Sequence, residues 1–177
     1  MSKANVVVVG ATGTVGQVFL RVAEERRFPV GDLRLSASHR SIGKRLLFNG
    51  IEIEVRETAP AIFAGADFVF ISASSAVSRE LAPVAVEAGA VVIDDSSAFR
   101  MDPHVPLVVP EVNAADLLDH KGLISIPNCS TTPMVMALYP LHLVNPVKRI
   151  IADTYQSVSG TGASAMSELR KQTDALL

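Results

Sequence analysis

Short β-branched apolar runs alternate with longer stretches of helical spacing along most of the chain. NVVVVG (5–10) leads into ATGTVG (11–16) and then VGQVFLRVAEER (15–26), which predicts strand, glycine turn and helix. DLRLSASHRSIGK (32–44) contains a second strand, and KRLLFNGIEIEVRE (44–57) reads as a hairpin turning at Asn49-Gly50. ADFVFISAS (66–74) is a third main strand, SRELAPVAVEAG (78–89) a helix ending at Gly89, and AVVIDDS (90–96) the next strand. After PLVVPEV (106–112), Asn113 with Asp116 three residues on reads as a helix cap. GLISI (122–126) is a buried strand, and PMVMALYPLHLV (133–144) a helix capped by Thr132 with Pro133 at its first position. This alternation predicts an α/β fold with a doubly wound, mostly parallel Rossmann-type sheet. The glycine loop, the Ser72–Ser75 loop, the Ser96–Arg100 loop and Cys129 then share the carboxyl edge of the strands, where such sheets bind ligands.

The pattern changes after residue 146. VKRIIADTYQSVSGTG (147–162) reads as one long strand, closed by Gly160 and Gly162 before a helix over 164–177. The expected organisation is a nucleotide-binding domain over 1–132 and the opening of a truncated second α+β domain over 133–177. An unpaired strand edge and an uncovered helix face there would favour self-association.

Composition narrows the function classes. With 49% hydrophobic and 19% charged residues, the 177-residue chain can bury a sizeable core, and a net charge of −2 provides no basic field for nucleic acid. A single cysteine excludes an internal disulfide framework and agrees with a reducing, cytoplasmic setting. The first apolar run is too short for a signal peptide, and 133–144 is too short for a membrane span.

Three segments carry candidate chemistry. In the first loop, Gly10 permits the tight turn, Gly13 lets the main chain approach a pyrophosphate and Gly16 lets the helix pack on the strand. Thr12, Thr14 and Val15 complete that cofactor-binding loop, and the pyrophosphate would rest on the helix N-terminus. The spacing is G-x-x-G-x-x-G rather than the commoner G-x-G-x-x-G. At the end of the second strand, where an acid would bind an unphosphorylated ribose, stand Ser38, Arg40 and Ser41, with Lys44 further on. Hydroxyls and cations there suit a 2′-phosphate, hence NADP; the alternative is a basic surface loop. Cys129, in IPNCSTTP (126–133) between strand and helix, is the candidate covalent catalyst, since unpaired N–H groups at a helix N-terminus favour a thiolate. A buried structural thiol is the alternative.

Together, GATGTVG (10–16), SSAFRMDPHVPLVVPEVN (96–113), PNCSTT (127–132) and TYQSVSGTG (154–162) resemble the aspartate-β-semialdehyde dehydrogenases over essentially the whole chain, which is about the first half of that family's length. SASSAVS (72–78) departs from the family, where many members have a glycine-containing cofactor loop. The resemblance implies an enzyme of amino-acid biosynthesis that interconverts aspartate semialdehyde, phosphate and NADP with β-aspartyl phosphate and NADPH. It implies Cys129 as nucleophile, Arg100 as phosphate ligand, Asn128 beside the same phosphate or thiol, Gln156 orienting substrate, and Ser159 and Gly160 contacting cofactor. Read without it, Arg100 is a solvated loop residue and Gln156 an outward-facing strand residue.

The resemblance also implies a histidine base and a carboxylate-binding arginine beyond residue 177. His39, His104, His120 and His142 match no such motif and lack metal-ligand spacing, so no metal site is expected. Two classes stay open: a dehydrogenase half, inactive alone and homo-oligomeric, or a stand-alone NADP-binding module with a sensory, partner-binding or vestigial role. The joint presence of Cys129, Arg100 and Gln156 favours the first, because a binding module has no chemical need for them together.

Overall fold

Strands that are apolar on both faces must be covered on both, and the chain achieves this with one sheet between helices. The computed structural model describes residues 3–177. Strands β1 (Ala4–Val9), β2 (Val30–Ala37), β3 (Arg45–Phe48), β4 (Ile51–Glu57), β5 (Phe68–Ile71), β6 (Val91–Asp94) and β7 (Leu123–Ser125) form a sheet ordered β3-β4-β2-β1-β5-β6-β7. Every neighbouring pair is parallel except the β3–β4 hairpin. That hairpin turns at Asn49 and Gly50, both with positive φ, as a tight Asn-Gly turn requires.

β1 shows why its run is continuously apolar. Val7 and Val9 pack with Val69, Ile71 and Val92 and with Leu81, Ala82 and Ala85 of α2 (Ser75–Glu87). Val6 and Val8 face the other way, toward Leu35, Val55 and Leu20 of α1 (Thr14–Glu25). Phe19 of α1 stacks on Phe70 with ring centroids 4.4 Å apart. This is the expected doubly wound, mostly parallel Rossmann-type sheet. The winding reverses between β1 and β5, so the crevice for a ligand opens beyond the ends of those two strands.

The chain divides into two compact units, residues 1–128 and Cys129–Leu177. Within the second lie α4 (Thr131–Val144), a 3₁₀ turn (Val158–Thr161) and α5 (Ala163–Leu176). The long strand expected over 147–162 does not form: residues 146–157 have no regular secondary structure. β-branched composition favours a pleated conformation, but a strand persists only where a neighbour takes its main-chain N–H and C=O groups. Among the described residues no segment pairs with this one. What the second unit exposes is therefore apolar side chains, Leu141, Leu143, Val144 and Ile151 among them, rather than a strand edge.

Two local expectations also change. α4 begins at Thr131 with Ser130 as its cap residue, which places Pro133 third rather than first. Proline fits anywhere in a first turn, where N–H groups have no intrahelical partner. Asn113 does not cap with its side chain; a short α3 (Pro110–Asn113) ends there, and its carboxamide accepts from Val109 N and donates to Leu107 O and Asp116 Oδ2.

Candidate active site

In the first unit the site is built where β1 runs into α1. Gly10 has φ of +82°, and a Cβ on it would lie 2.0 Å from the Ser72 carbonyl oxygen at the end of β5. Gly16 is equally confined, since its Cβ would lie 2.4 Å from Gly10 O. The two glycines let the ends of β1 and β5 and the first turn of α1 close on one another. Gly13, Thr14 and Val15 remain exposed, and α1 has neither a side-chain cap nor an acid in its first turn. An open, uncapped helix N-terminus at the switch point fits a pyrophosphate in charge and in space. Thr12 is drawn into the scaffold, donating to Ser41 Oγ at 3.0 Å and accepting from Gln17 Nε2 through its carbonyl.

That Thr12–Ser41 bond fastens the loop after β2 to the glycine loop. Ser38, His39 and Arg40 are exposed there, while Ser41 is buried. None of the ion pairs among the described residues uses Arg40, whose guanidinium is available to an anion. The parallel pairing of β2 with β4 sets Glu57 opposite Ala37, and its carboxylate lies 4.0 Å from His39 Nδ1. Sequence reading missed this acid because it belongs to the hairpin, and only strand order brings it beside the loop.

At the ends of β5, β6 and β7 the side chains interlock. Arg100 is half-buried and donates from Nε to Ile126 O at 2.9 Å and from Nη2 to Asp95 O at 2.8 Å. A guanidinium carries five N–H groups, and these two bonds use two of them. Ser72 donates to Asp95 Oδ2 at 3.2 Å, and buried Asp94 accepts from Ser96 N and Ser96 Oγ. Burial raises the Asp95 carboxyl above its usual 3.8, outweighing the Ser72 hydrogen bond and the Arg100 charge, while Asp94 adds to the rise. A carboxyl raised on folding holds its proton more tightly in the folded chain, so stability falls as pH rises from the unfolded value through the folded one. Asp95→Asn keeps an acceptor for Ser72 and carries no charge. Urea unfolding should find the variant no more stable than the parent below about pH 4, with an advantage that grows through the acidic range and holds at neutral pH. A flat difference would show that the Asp95 charge is not costly. Asn128 is exposed at the end of this unit.

In the second unit Cys129 is exposed and immediately precedes the cap residue of α4, which excludes the buried structural thiol. Gln156 Nε2 donates to Cys129 Sγ at 3.1 Å across 27 residues of sequence. The irregular stretch around Gln156 returns its carboxamide to the thiol, so Gln156 is not an outward strand residue. Ser157 Oγ accepts from Ser159 N and bonds the Ser159 hydroxyl, stiffening the turn that follows. Among the described residues no group of three or more His, Cys, Asp or Glu could hold a metal ion, and no helix is long and apolar enough to cross a membrane.

A doubly wound sheet with a glycine loop at its switch point, open toward an uncapped helix, has the form of a dinucleotide-binding domain. Residues 5–120 match the family model for the semialdehyde dehydrogenase NAD-binding domain, and the chain belongs to that family. It is 50% identical over 173 residues to the aspartate-semialdehyde dehydrogenase of Bacillus subtilis, covering 98% of this chain and 50% of that one. With the Aquifex aeolicus enzyme the identity is 52% over 173 residues, covering 96% and 51%. The crystal structure of aspartate semialdehyde dehydrogenase II from Vibrio cholerae, complexed with ASA, superposes with a TM-score of 0.95 at 43% identity, covering 99% of this chain and 53% of that one. The Candida albicans enzyme crystallised with NADP superposes with a TM-score of 0.68 at 30% identity, covering 82% and 48%. The chain spans about half the length of the curated relatives it matches.

Proposed function

We propose that this chain is the nucleotide-binding and nucleophile-bearing half of an NADP-dependent aspartate-semialdehyde dehydrogenase. The observation that carries the reading is the hydrogen bond from Gln156 to an exposed Cys129 at the entry of α4. A thiol kept open to solvent, beside a helix N-terminus and under a side-chain donor, is arranged to react rather than to pack. The second unit is then the opening of the catalytic domain, and the apolar side chains on α4 suit a homo-oligomeric contact.

The residues present account for binding and attack. Gly10, Thr12, Gly13, Thr14, Val15 and Gly16 would hold the pyrophosphate, Ser38 and Arg40 the 2′-phosphate, and Ser41 would act through its bond to Thr12. Cys129 Sγ attacks the aldehyde carbon of aspartate semialdehyde, forming a C–S bond while the carbonyl oxygen takes a proton. NADP, when bound, would supply the acceptor for the hydride lost from that carbon, while the hydroxyl proton leaves to a base, so that the adduct becomes a thioester. A phosphate oxygen then attacks the thioester carbon, the C–S bond breaks and the thiolate is restored, leaving β-aspartyl phosphate. Arg100 would bind the phosphate together with Asn128, and Gln156 orients both thiol and substrate.

Cofactor choice tests the reading directly. The cations and hydroxyls after β2 should bind NADP more tightly than NAD, against the opposing charge of Glu57. Arg40→Ala should remove about 1–3 kcal/mol of that preference, the scale for one charge-assisted contact. Titration calorimetry on both cofactors measures it, and equal affinities in the parent chain would refute the NADP assignment.

A further inference from the structure

Gln156 reaches Cys129 through space that a side chain at residue 160 would occupy. A Cβ built on Gly160 would lie 2.2 Å from Gln156 Nε2 and 3.2 Å from its Cδ. The three nearest atoms to that position all belong to Gln156, whose Nε2 donates to Cys129 Sγ. The main chain imposes no such demand, because Gly160 is not among the glycines with positive φ. Gly162, two residues on, is the opposite case: φ is +97° and nothing lies within 4 Å of where its Cβ would be. One glycine serves the backbone and the other leaves room for a neighbouring side chain.

We infer that Gly160 is a positioning residue for the nucleophile: its missing Cβ leaves the space in which the Gln156 carboxamide is held against the Cys129 thiol. This rests on the proposed reading of Cys129 as the attacking group. It differs from the cofactor contact implied for Gly160 by family resemblance, since the role is steric and acts through Gln156. The chemistry follows from the donor. An N–H aimed at sulfur stabilises the negative charge that sulfur carries as it attacks carbon, so displacing the amide slows the attack. The displaced group is the far end of a flexible side chain, which can rotate away while the fold stays intact.

The chain has one cysteine, so alkylation by iodoacetamide under pseudo-first-order conditions reports Cys129 alone. Rates should be measured from neutral to alkaline pH for the parent, Gly160→Ala, Gln156→Ala and the double variant, with thermal unfolding alongside. Gly160→Ala and Gln156→Ala are each expected to slow alkylation at neutral pH by about tenfold, and the double variant to be no slower than Gln156→Ala. The Tm of Gly160→Ala should equal the parent's. Parent-like alkylation in either single variant would overturn the inference, as would equal slowing by Gly160→Ala in both backgrounds, or a Gly160→Ala chain that fails to fold. No substrate or cofactor enters the assay, so a failure of the dehydrogenase reading, seen as absent NADP binding, would register separately.

Discussion

Gly10→Ala should destabilise the chain by about 3 kcal/mol or more. Two separate costs meet at this position. The φ of +82° is one that residues with a Cβ rarely adopt, and the added methyl would stand 2.0 Å from the main-chain oxygen of Ser72. That oxygen cannot swing aside like a side chain, because the Ser72 N–H is bonded to Val9 O and the loop continues into α2. Gly65→Ala isolates the first cost: φ there is +67° with nothing within 4 Å of the added atom, so about 1 kcal/mol is expected. Urea unfolding of both variants gives the difference, which measures how closely the ends of β1 and β5 approach. Equal losses would mean that the glycine loop is looser than the structure describes.

A polypeptide of these 177 residues, assayed with aspartate semialdehyde, phosphate and NADP, should reduce no NADP above background. Proton transfer by a positioned base is typically worth 10²–10⁴-fold, and the histidine of the second unit lies far along α4 from the thiol's end of the helix. In the second unit the one histidine, His142, lies near the end of α4, about 16 Å along the axis from Thr131 at 1.5 Å per residue. Its Nδ1 already accepts from Val147 N. In the first unit His120 precedes β7 and accepts from Gly122 N, His104 lies in an exposed loop and His39 faces Glu57. Cys129 should nonetheless alkylate, so the assay separates a missing base from a missing nucleophile. Robust turnover would show that a base exists within these residues.

The sequence by itself determined the sheet. Strands such as β1, buried on both faces, leave an uninterrupted apolar run, and Asn49-Gly50 signals its turn because few residues accept positive φ. The glycine turn was legible because part of its demand is local: Gly10 takes a φ of +82°, and a Cβ on Gly16 would meet Gly10 O, whereas the approach of Ser72 O to Gly10 comes from the folded sheet. Tertiary structure decided what depends on partners distant in sequence. The β-branched residues of 147–157 read as a strand, yet a strand requires a neighbour to take its hydrogen bonds, and composition cannot specify one. Glu57 became a neighbour of the loop after β2 only through the parallel pairing of β2 with β4. The bond from Gln156 to Cys129, and the space Gly160 leaves for it, exist because the irregular segment turns back on the start of α4. Local propensity acts over one or two turns of chain, whereas burial, steric fit and hydrogen-bond partnership are properties of the folded arrangement.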